Sequence, residues 1–196
     1  MPKQPSQDEL SKIVGAAQGG SPEAFQQLYD LFAKAIFNFI WRLVGASQEA
    51  EDLTQDTFIK VHTELVKLRD PAQFKYWLYR IARNEVYQRF RRSQKVVTVS
   101  IDDDEVGYHE ILPADDSAND PEQRFLSKEL NDVIQAALEQ MSPKYRDVFV
   151  LAVFQKLTYA EITRVVGRSL LSVKTDIYRA RLVVKQHLSE YLKQSK

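Results

Sequence analysis

The densest chemistry in the 196-residue chain lies in Phe74–Lys95, FKYWLYRIARNEVYQRFRRSQK. Wound as a helix, Tyr76, Arg80, Arg83, Tyr87 and Arg91 recur at steps of three or four and share one face, with Asn84 alongside. Trp77, Leu78, Ile81, Ala82, Val86 and Phe90 form a separate apolar stripe suited to a core. From Arg80 to Lys95 the bases Arg80, Arg83, Arg89, Arg91, Arg92 and Lys95 outweigh the lone acid Glu85. Arginines contact phosphates, tyrosine rings stack on unpaired bases, and an amide can read a base edge. The pattern predicts a surface that holds single-stranded nucleic acid. The plainer alternative, core aromatics with arginines solubilising a helix end, suits Trp77 and Phe90 better than Tyr76 and Tyr87.

A second constellation, Leu157–Arg181, reads LTYAEITRVVGRSLLSVKTDIYRAR. A helix from Thr158 turns Ile162, Val165 and Val166 inward, Gly167 supplies a tight turn, and Ser169 can cap a second helix. That helix collects Val173, Ile177, Ala180 and Val184 on one side. Leu171, Ser172, Thr175, Tyr178 and Arg179 point away, with Lys174 and Arg181 on a flank. Helix, glycine turn and helix with a polar outer face form the helix-turn-helix, whose second helix lies in the DNA major groove. A packing seam between helices would need larger and more apolar outward residues.

The third, Ser47–Leu65, SQEAEDLTQDTFIKVHTEL, places Leu53, Phe58, Val61 and Leu65 on one side and crowds Glu49, Glu51, Asp52, Gln55 and Asp56 into its early turns. Acids there favour the positive end of the helix dipole, but the run is denser than capping needs. It is a poor DNA surface and a good protein-docking one. His62, His109 and His187 are far apart in sequence, and no carboxylate cluster has a matching ligand set, so no metal site and no cofactor are expected.

The elements that must position these residues announce themselves by their caps. Ser21-Pro22, Asp70-Pro71, Asp120-Pro121 and Ser142-Pro143 each join a capping side chain to a proline suited to the first helical turn. Thr158-Tyr159-Ala160-Glu161 is a capping box, and Ser47 precedes another helical run. Strand-like alternation is confined to Val96–Ile101, so the expected fold is all-α. Acids and bases cancel to a formal net charge of zero, which argues against a non-specific DNA coat. The chain has no cysteine, which excludes disulfides, thiolate zinc sites and a cysteine nucleophile. Neither a signal peptide nor a run of ~20 apolar residues is present, so a reducing, cytoplasmic setting is expected.

Between Val96 and Gln123 there is no Lys or Arg, while Asp102, Asp103, Asp104, Glu105, Glu110, Asp115, Asp116, Asp120 and Glu122 accumulate around Gly107 and Pro113. This reads as an acidic extended linker. The expected organisation is a helical module over 1–93, the linker over 94–120 and a second helical module over 121–196.

Taken together and in order, AEDLTQDTF (Ala50–Phe58), FKYWLYRIARN (Phe74–Asn84), MSPKYRDVFVL (Met141–Leu151) and LTYAEITRVVG…SVKTDIYRAR (Leu157–Arg181) resemble the extracytoplasmic-function (ECF) group of sigma factors of bacterial RNA polymerase. The resemblance runs from about Glu23 to Leu192 and implies two small helical domains, sigma regions 2 and 4. It implies that Asp52, Gln55, Asp56 and Phe58 dock on the β′ clamp helices of core polymerase, with the β flap as a further contact. It implies that Leu68–Gln73 and the helix from Phe74 open the minus-ten element, with Tyr76, Arg80, Arg83, Asn84, Tyr87 and Arg91 on the single strand. Ser172, Lys174, Thr175, Arg179 and Arg181 match the helix that reads the minus-35 element of promoter DNA. An anti-sigma factor is implied as a further partner, holding the protein at the inner membrane when that partner is anchored there. The acidic linker matches a segment threaded towards the polymerase active site, where replacing its acids with Ser should alter abortive initiation.

Two positions depart from the pattern: Leu171 stands where the family often has Gly, and Asp176 where it commonly has a base. An acid on the flank of the reading helix is expected to repel phosphate, unless it accepts from cytosine N4 or pairs with Lys174 or Arg179. A two-domain regulator with the same helix-turn-helix would bind duplex without polymerase, but leaves the tyrosine–arginine helix unexplained. An enzyme lacks support, since no Gly-rich phosphate loop or His/carboxylate cluster is present. A structural adaptor is disfavoured by the Ser/Thr/Arg outer face of the last helix.

Overall fold

The computed structural model describes residues 5–92 and 121–194, with side chains over 5–92 and 129–193. The described residues fold as α1 (Gln7–Gln18), α2 (Pro22–Val44), α3 (Ser47–Glu64), α4 (Phe74–Arg92), α5 (Pro121–Gln140), α6 (Pro143–Val153), α7 (Tyr159–Val166) and α8 (Leu170–Gln194), with short 3-10 turns between α3 and α4 and no strand. The acidic stretch and Val96–Ile101 lie outside the described residues.

Three of the expected caps act as the sequence places them, and Asp120 lies outside the described residues. The Ser21 hydroxyl accepts the Ala24 N–H, the Asp70 carboxylate accepts the Ala72 N–H, and Thr158 and Glu161 close a reciprocal capping box. Ser142 precedes α6 without a side-chain cap bond, and Ser47 is the first helical residue of α3 rather than its cap. One helix was not foreseen. Ser6 and Glu9 form a capping box that starts α1, whose buried residues are Leu10 and Val14. The amide of Gln18, at its end, donates to the carbonyls of Leu65 and Leu68 at 3.0 and 2.7 Å, clamping the α3–α4 connection.

In the first bundle α2, α3 and α4 close over Leu28, Ile36, Phe39, Ile40, Leu53, Phe74 and Leu78. Edge-to-face ring pairs, Phe32–Phe74 at 5.5 Å and Phe39–Tyr79 at 5.3 Å, fix the seating of α4 on α2. In the second, α5 to α8 enclose Leu138, Val148, Leu151, Ile162, Val173 and Ile177. Gly167 takes φ +69 between α7 and α8, a conformation that penalises side chains with a Cβ and so keeps the helix-turn-helix corner tight.

The bundles pack on each other: α4 lies against α7, and α2 against α5 and α6. Arg146 of α6 ties the seam by donating to the Leu43 carbonyl at 2.6 Å and the Glu139 carbonyl at 2.8 Å, satisfying the carbonyl ends of two helices. Arg42 of α2 lies 3.4 Å from the centre of the Phe154 ring and donates to Asn131 at 3.0 Å. Gly45, at the end of α2, has φ +80, and a Cβ there would lie 2.7 Å from a Glu139 carboxylate oxygen.

Candidate nucleic-acid interfaces

The α4 face gathers the residues the sequence singles out, but α6 and α7 cover much of it. The Tyr76 hydroxyl donates to Glu161 at 2.8 Å, and the Arg164 guanidinium lies 5.3 Å from the centre of the Tyr76 ring. Arg80 donates to the Arg164 carbonyl in the last turn of α7. Arg83 Nε meets Asp147 at 2.5 Å while its guanidinium lies 4.3 Å from the centre of the Tyr87 ring. The Tyr87 hydroxyl reaches the same Asp147 oxygen at 3.1 Å. Asn84 and Arg91 are exposed. Trp77 and Phe90 are half-buried against the core, as their position on the apolar stripe suggests.

Asp147 is the residue that sequence reasoning missed. It is buried completely on α6, inside MSPKYRDVFVL, where an acid among apolar residues was the available signal. Burial pushes its carboxyl up, and the charges of Arg83 and Arg168 pull the other way without cancelling the shift. Burial works against the charge of Arg83, but Asp147 and Tyr87 together outweigh it and raise the guanidinium further. The partners thus move upward for different reasons, and the guanidinium stays charged throughout. Burial raises the Tyr87 hydroxyl well above its ordinary value, as it does Tyr79. Tyr79, not assigned from sequence, is buried and donates to Gln155 across the seam at 2.7 Å. At Glu161 burial opposes ionisation, but donation from the Thr158 N–H and the Tyr76 hydroxyl holds the carboxyl below its usual value.

The α8 face is open by contrast. Val173, Ile177, Ala180 and Val184 are buried as expected, and the Ser169 hydroxyl accepts the Ser172 N–H at 3.2 Å. Leu171 is 74% exposed in the first turn. Ser172, Lys174, Thr175 and Arg181 are half-exposed, and Arg179 donates to the Tyr145 hydroxyl at 2.9 Å, which fixes its stem against the bundle. Asp176 requires a correction. It does not sit on the flank to repel phosphate, nor does it pair with Lys174 or Arg179 in the way proposed: it is 4% exposed and accepts from Arg168. Position 176 faces inward because it lies one helical turn from the buried Val173 and Ala180. Arg168 also lies 3.5 Å from Asp147, so the corner of the helix-turn-helix is held between two carboxylates.

On α3, Asp52, Gln55 and Asp56 are exposed, whereas Phe58 is buried and meets Tyr29 edge-on at 4.8 Å. Beside them Tyr29, Phe58, Ile59 and His62 line an open apolar cleft of about 490 Å³, with Gln55 at its edge. The acidic face therefore borders an apolar hollow, the composition of a protein-docking surface. Among the described residues no group of His, Cys, Asp or Glu could hold a metal ion, and no helix is long and apolar enough to cross a membrane.

A bundle carrying a basic aromatic helix, coupled to a helix-turn-helix, is the architecture of a DNA-binding protein. Residues 28–96 match the model of Sigma-70 region 2, and residues 131–183 match that of Sigma-70, region 4. The chain is 30% identical over 190 residues to the ECF RNA polymerase sigma factor SigE of Mycolicibacterium smegmatis, spanning 96% of this chain and 71% of that protein. It is 28% identical over 184 residues to SigW of Bacillus subtilis, spanning 92% and 97% of the two. The fold matches that of CnrH, solved with the cytosolic domain of CnrY, with a TM-score of 0.67 at 22% identity over 92% of this chain and 97% of that one. The chain belongs to the ECF sigma factors of the sigma-70 family. It is a non-catalytic partner of RNA polymerase that directs transcription initiation at promoters.

Proposed function

We propose that three faces divide the labour of initiation. α1–α4 form the module that docks on polymerase and opens the minus-ten element. α5–α8 form the module that reads the minus-35 duplex, and 94–120 link the two. Asp52, Gln55 and Asp56 contact the β′ clamp helices, with Gln55 at the edge of the apolar cleft, and Phe58 shapes its wall instead of reaching outward. Tyr76, Arg80, Arg83, Asn84, Tyr87 and Arg91 hold the opened strand. Ser172, Lys174, Thr175, Arg179 and Arg181 read the upstream groove, and the β flap receives the second module. The observation that carries this reading is the pairing of chemistry on α4, where guanidinium and phenol groups converge within 4.3 Å at Arg83 and Tyr87.

The solved relatives include CnrH with CnrY, and RpoE with the anti-sigma factor NepR from Bartonella quintana. These support an anti-sigma factor as a partner here too, with the chain held in the cytoplasm, or at the inner membrane where that partner is anchored. The test is reconstitution with core RNA polymerase on a promoter selected by the holoenzyme from randomised duplex. Tyr87→Ala and Arg83→Ala should lower run-off transcription by about tenfold or more, the equivalent of one lost stacking or ionic contact, while sparing core binding. Lys174→Ala should instead weaken upstream duplex binding and reduce its salt dependence by about one counterion. Undiminished run-off by Tyr87→Ala would remove α4 from strand opening.

A further inference from the structure

One face of α1 reaches the segment that leads into α4. Gln7, Leu10, Val14 and Gln18 recur at steps of three or four and share that face, with apolar residues at its centre and an amide at each end. Leu10 and Val14 are buried and α1 packs on α2, so the two amides sit at the ends of an anchored helix. The Gln18 amide donates to the carbonyls of Leu65 at 3.0 Å and Leu68 at 2.7 Å, and the Gln7 amide donates to the Ala72 carbonyl at 2.7 Å. One helix thus grips both ends of the connection between α3 and α4. We propose that α1 is a positioning helix for strand capture, with Gln7 and Gln18 holding residues 65–73 in a single shape that receives an unpaired base beside α4. The inference rests on the reading of Leu68–Gln73 and α4 as the surface that opens the minus-ten element.

Three features set this clamp apart from ordinary capping. First, the segment has little to hold its own shape. It consists of the single-turn 3-10 helices Leu65–Lys67 and Pro71–Gln73, joined through extended backbone at Leu68 and Asp70. Such turns have poorer hydrogen-bond geometry than an α-helix. Second, satisfying the carbonyl end of α3 accounts for the Leu65 bond alone. The Leu68 and Ala72 bonds lie beyond that end, on either side of the exposed Arg69 and Asp70. Third, the tip keeps its cations turned outward. The Asp70 carboxylate accepts the Ala72 N–H at 3.0 Å and the Gln73 amide at 3.2 Å, so it is spent within the loop. Arg69 and Lys67, the latter 3.8 Å from Glu64, are exposed and suited to the phosphates that flank an unpaired base. A loop already in its binding shape loses little conformational freedom when the strand arrives, which is how pre-organisation raises affinity.

The test uses the full chain assembled with core RNA polymerase. Gln7→Met and Gln18→Met together remove the donors while keeping side-chain length, helix propensity and net charge. Gln18→Met alone decides the matter if the double variant loses helical content by circular dichroism. Because the chain has no cysteine, Lys67→Cys accepts a single nitroxide label whose spectrum reports motion of the loop. Binding is measured on the unlabelled chain. The probe is a fluorescent single-stranded oligonucleotide carrying the minus-ten segment of a promoter selected by the wild-type holoenzyme from randomised duplex. The variant should mobilise the label and weaken oligonucleotide binding on the order of tenfold, as follows when the competent loop is populated about one-tenth of the time. Core affinity and upstream duplex binding should be unchanged, a split that general destabilisation does not produce. An unchanged label overturns the proposal, and a parallel fall in core affinity does so too, by reducing the glutamines to supports of the bundle. A mobile label with unchanged oligonucleotide binding also overturns it. In that case, Tyr87→Ala run-off shows which reading failed: a run-off defect leaves α4 as the strand surface and removes only the clamp, and its absence removes that reading as well.

Discussion

α4 and α8 share one vocabulary, tyrosines and arginines spaced along a helix, yet the fold treats them in opposite ways. On α4 the Tyr76, Arg83 and Tyr87 groups are turned to partners on the second bundle, and Arg83 meets an anion that is completely buried. On α8 the first turn stands open, with Leu171 74% exposed, while the acid that looked exposed, Asp176, is buried beneath it. The difference teaches that a helix face declares which groups it can bind, but its neighbours determine whether those groups are available. It also separates two uses of arginine. Arg168 braces the start of α8 from below by joining Asp147 and Asp176, whereas Arg83 reaches from the other bundle to Asp147.

The strongest test of this contrast is Asp176→Ala. Removing the acid leaves Arg168 with only a longer contact to Asp147 at 3.5 Å and a bond to the Lys144 carbonyl at 3.2 Å. Because Arg168 is only a quarter exposed, the second bundle should lose about 3 kcal/mol, the lower end for breaking a buried pair, as read by urea denaturation. A loss below about 0.5 kcal/mol, the range of surface substitutions, would return Asp176 to the DNA-facing flank. Asp176→Arg, informative if the acid repelled phosphate from the flank, would instead set two cations together inside the fold.

Next in size is Tyr87→Phe, which deletes the hydroxyl that donates to Asp147 and should cost about 1.5 kcal/mol, the low end for a bond to a charged group. Thr158→Ala should cost about 1 kcal/mol by removing the cap of α7, with helix content and thermal midpoint as the readouts. The contribution of Glu161 should depend on pH in a defined direction. Its carboxyl is held below the ordinary 4.5, so its stabilisation is fully present above that value and fades as pH falls through the lowered one. Glu161→Gln should flatten that part of the acid stability profile, and an unchanged profile would show that the Thr158 and Tyr76 bonds do not favour the carboxylate. The smallest expected change in stability is for Leu171→Ala, within about 0.5 kcal/mol by thermal melting. The same variant should weaken upstream duplex binding, since an exposed leucine in the first turn of a reading helix can lie against a thymine methyl. A shift in stability without one in binding would place Leu171 in packing instead.

Much of the fold was legible because capping chemistry and helical periodicity are local. Thr158 and Glu161 announced α7, and Val173, Ile177, Ala180 and Val184 announced the inner side of α8. α1 escaped notice although Ser6 and Glu9 carried the same capping signal and Leu10, Ile13, Val14 and Ala17 mark its inner side at helical spacing. The chemistry of the α4 groups was legible too, but their partners were not. Asp147 lies 64 residues from Arg83, and Glu161 lies 85 from Tyr76, so no spacing rule within one helix could pair them. Asp176 was misplaced for a related reason: its charge suggested solvent, and the cation that makes burial affordable arrives from the preceding turn.

The sequence by itself determined the helices, their inward sides, the glycine corner and the three faces with their polarity, because each depends on residues within a turn or two of one another. Only the tertiary structure decided that α4 is covered, that Phe58 forms a wall, and that Asp147 and Asp176 are internal anions. Those outcomes depend on which charges from distant segments meet once water is excluded. A buried carboxylate is tolerable only where guanidinium groups converge on it, and that convergence belongs to the packing of the bundles.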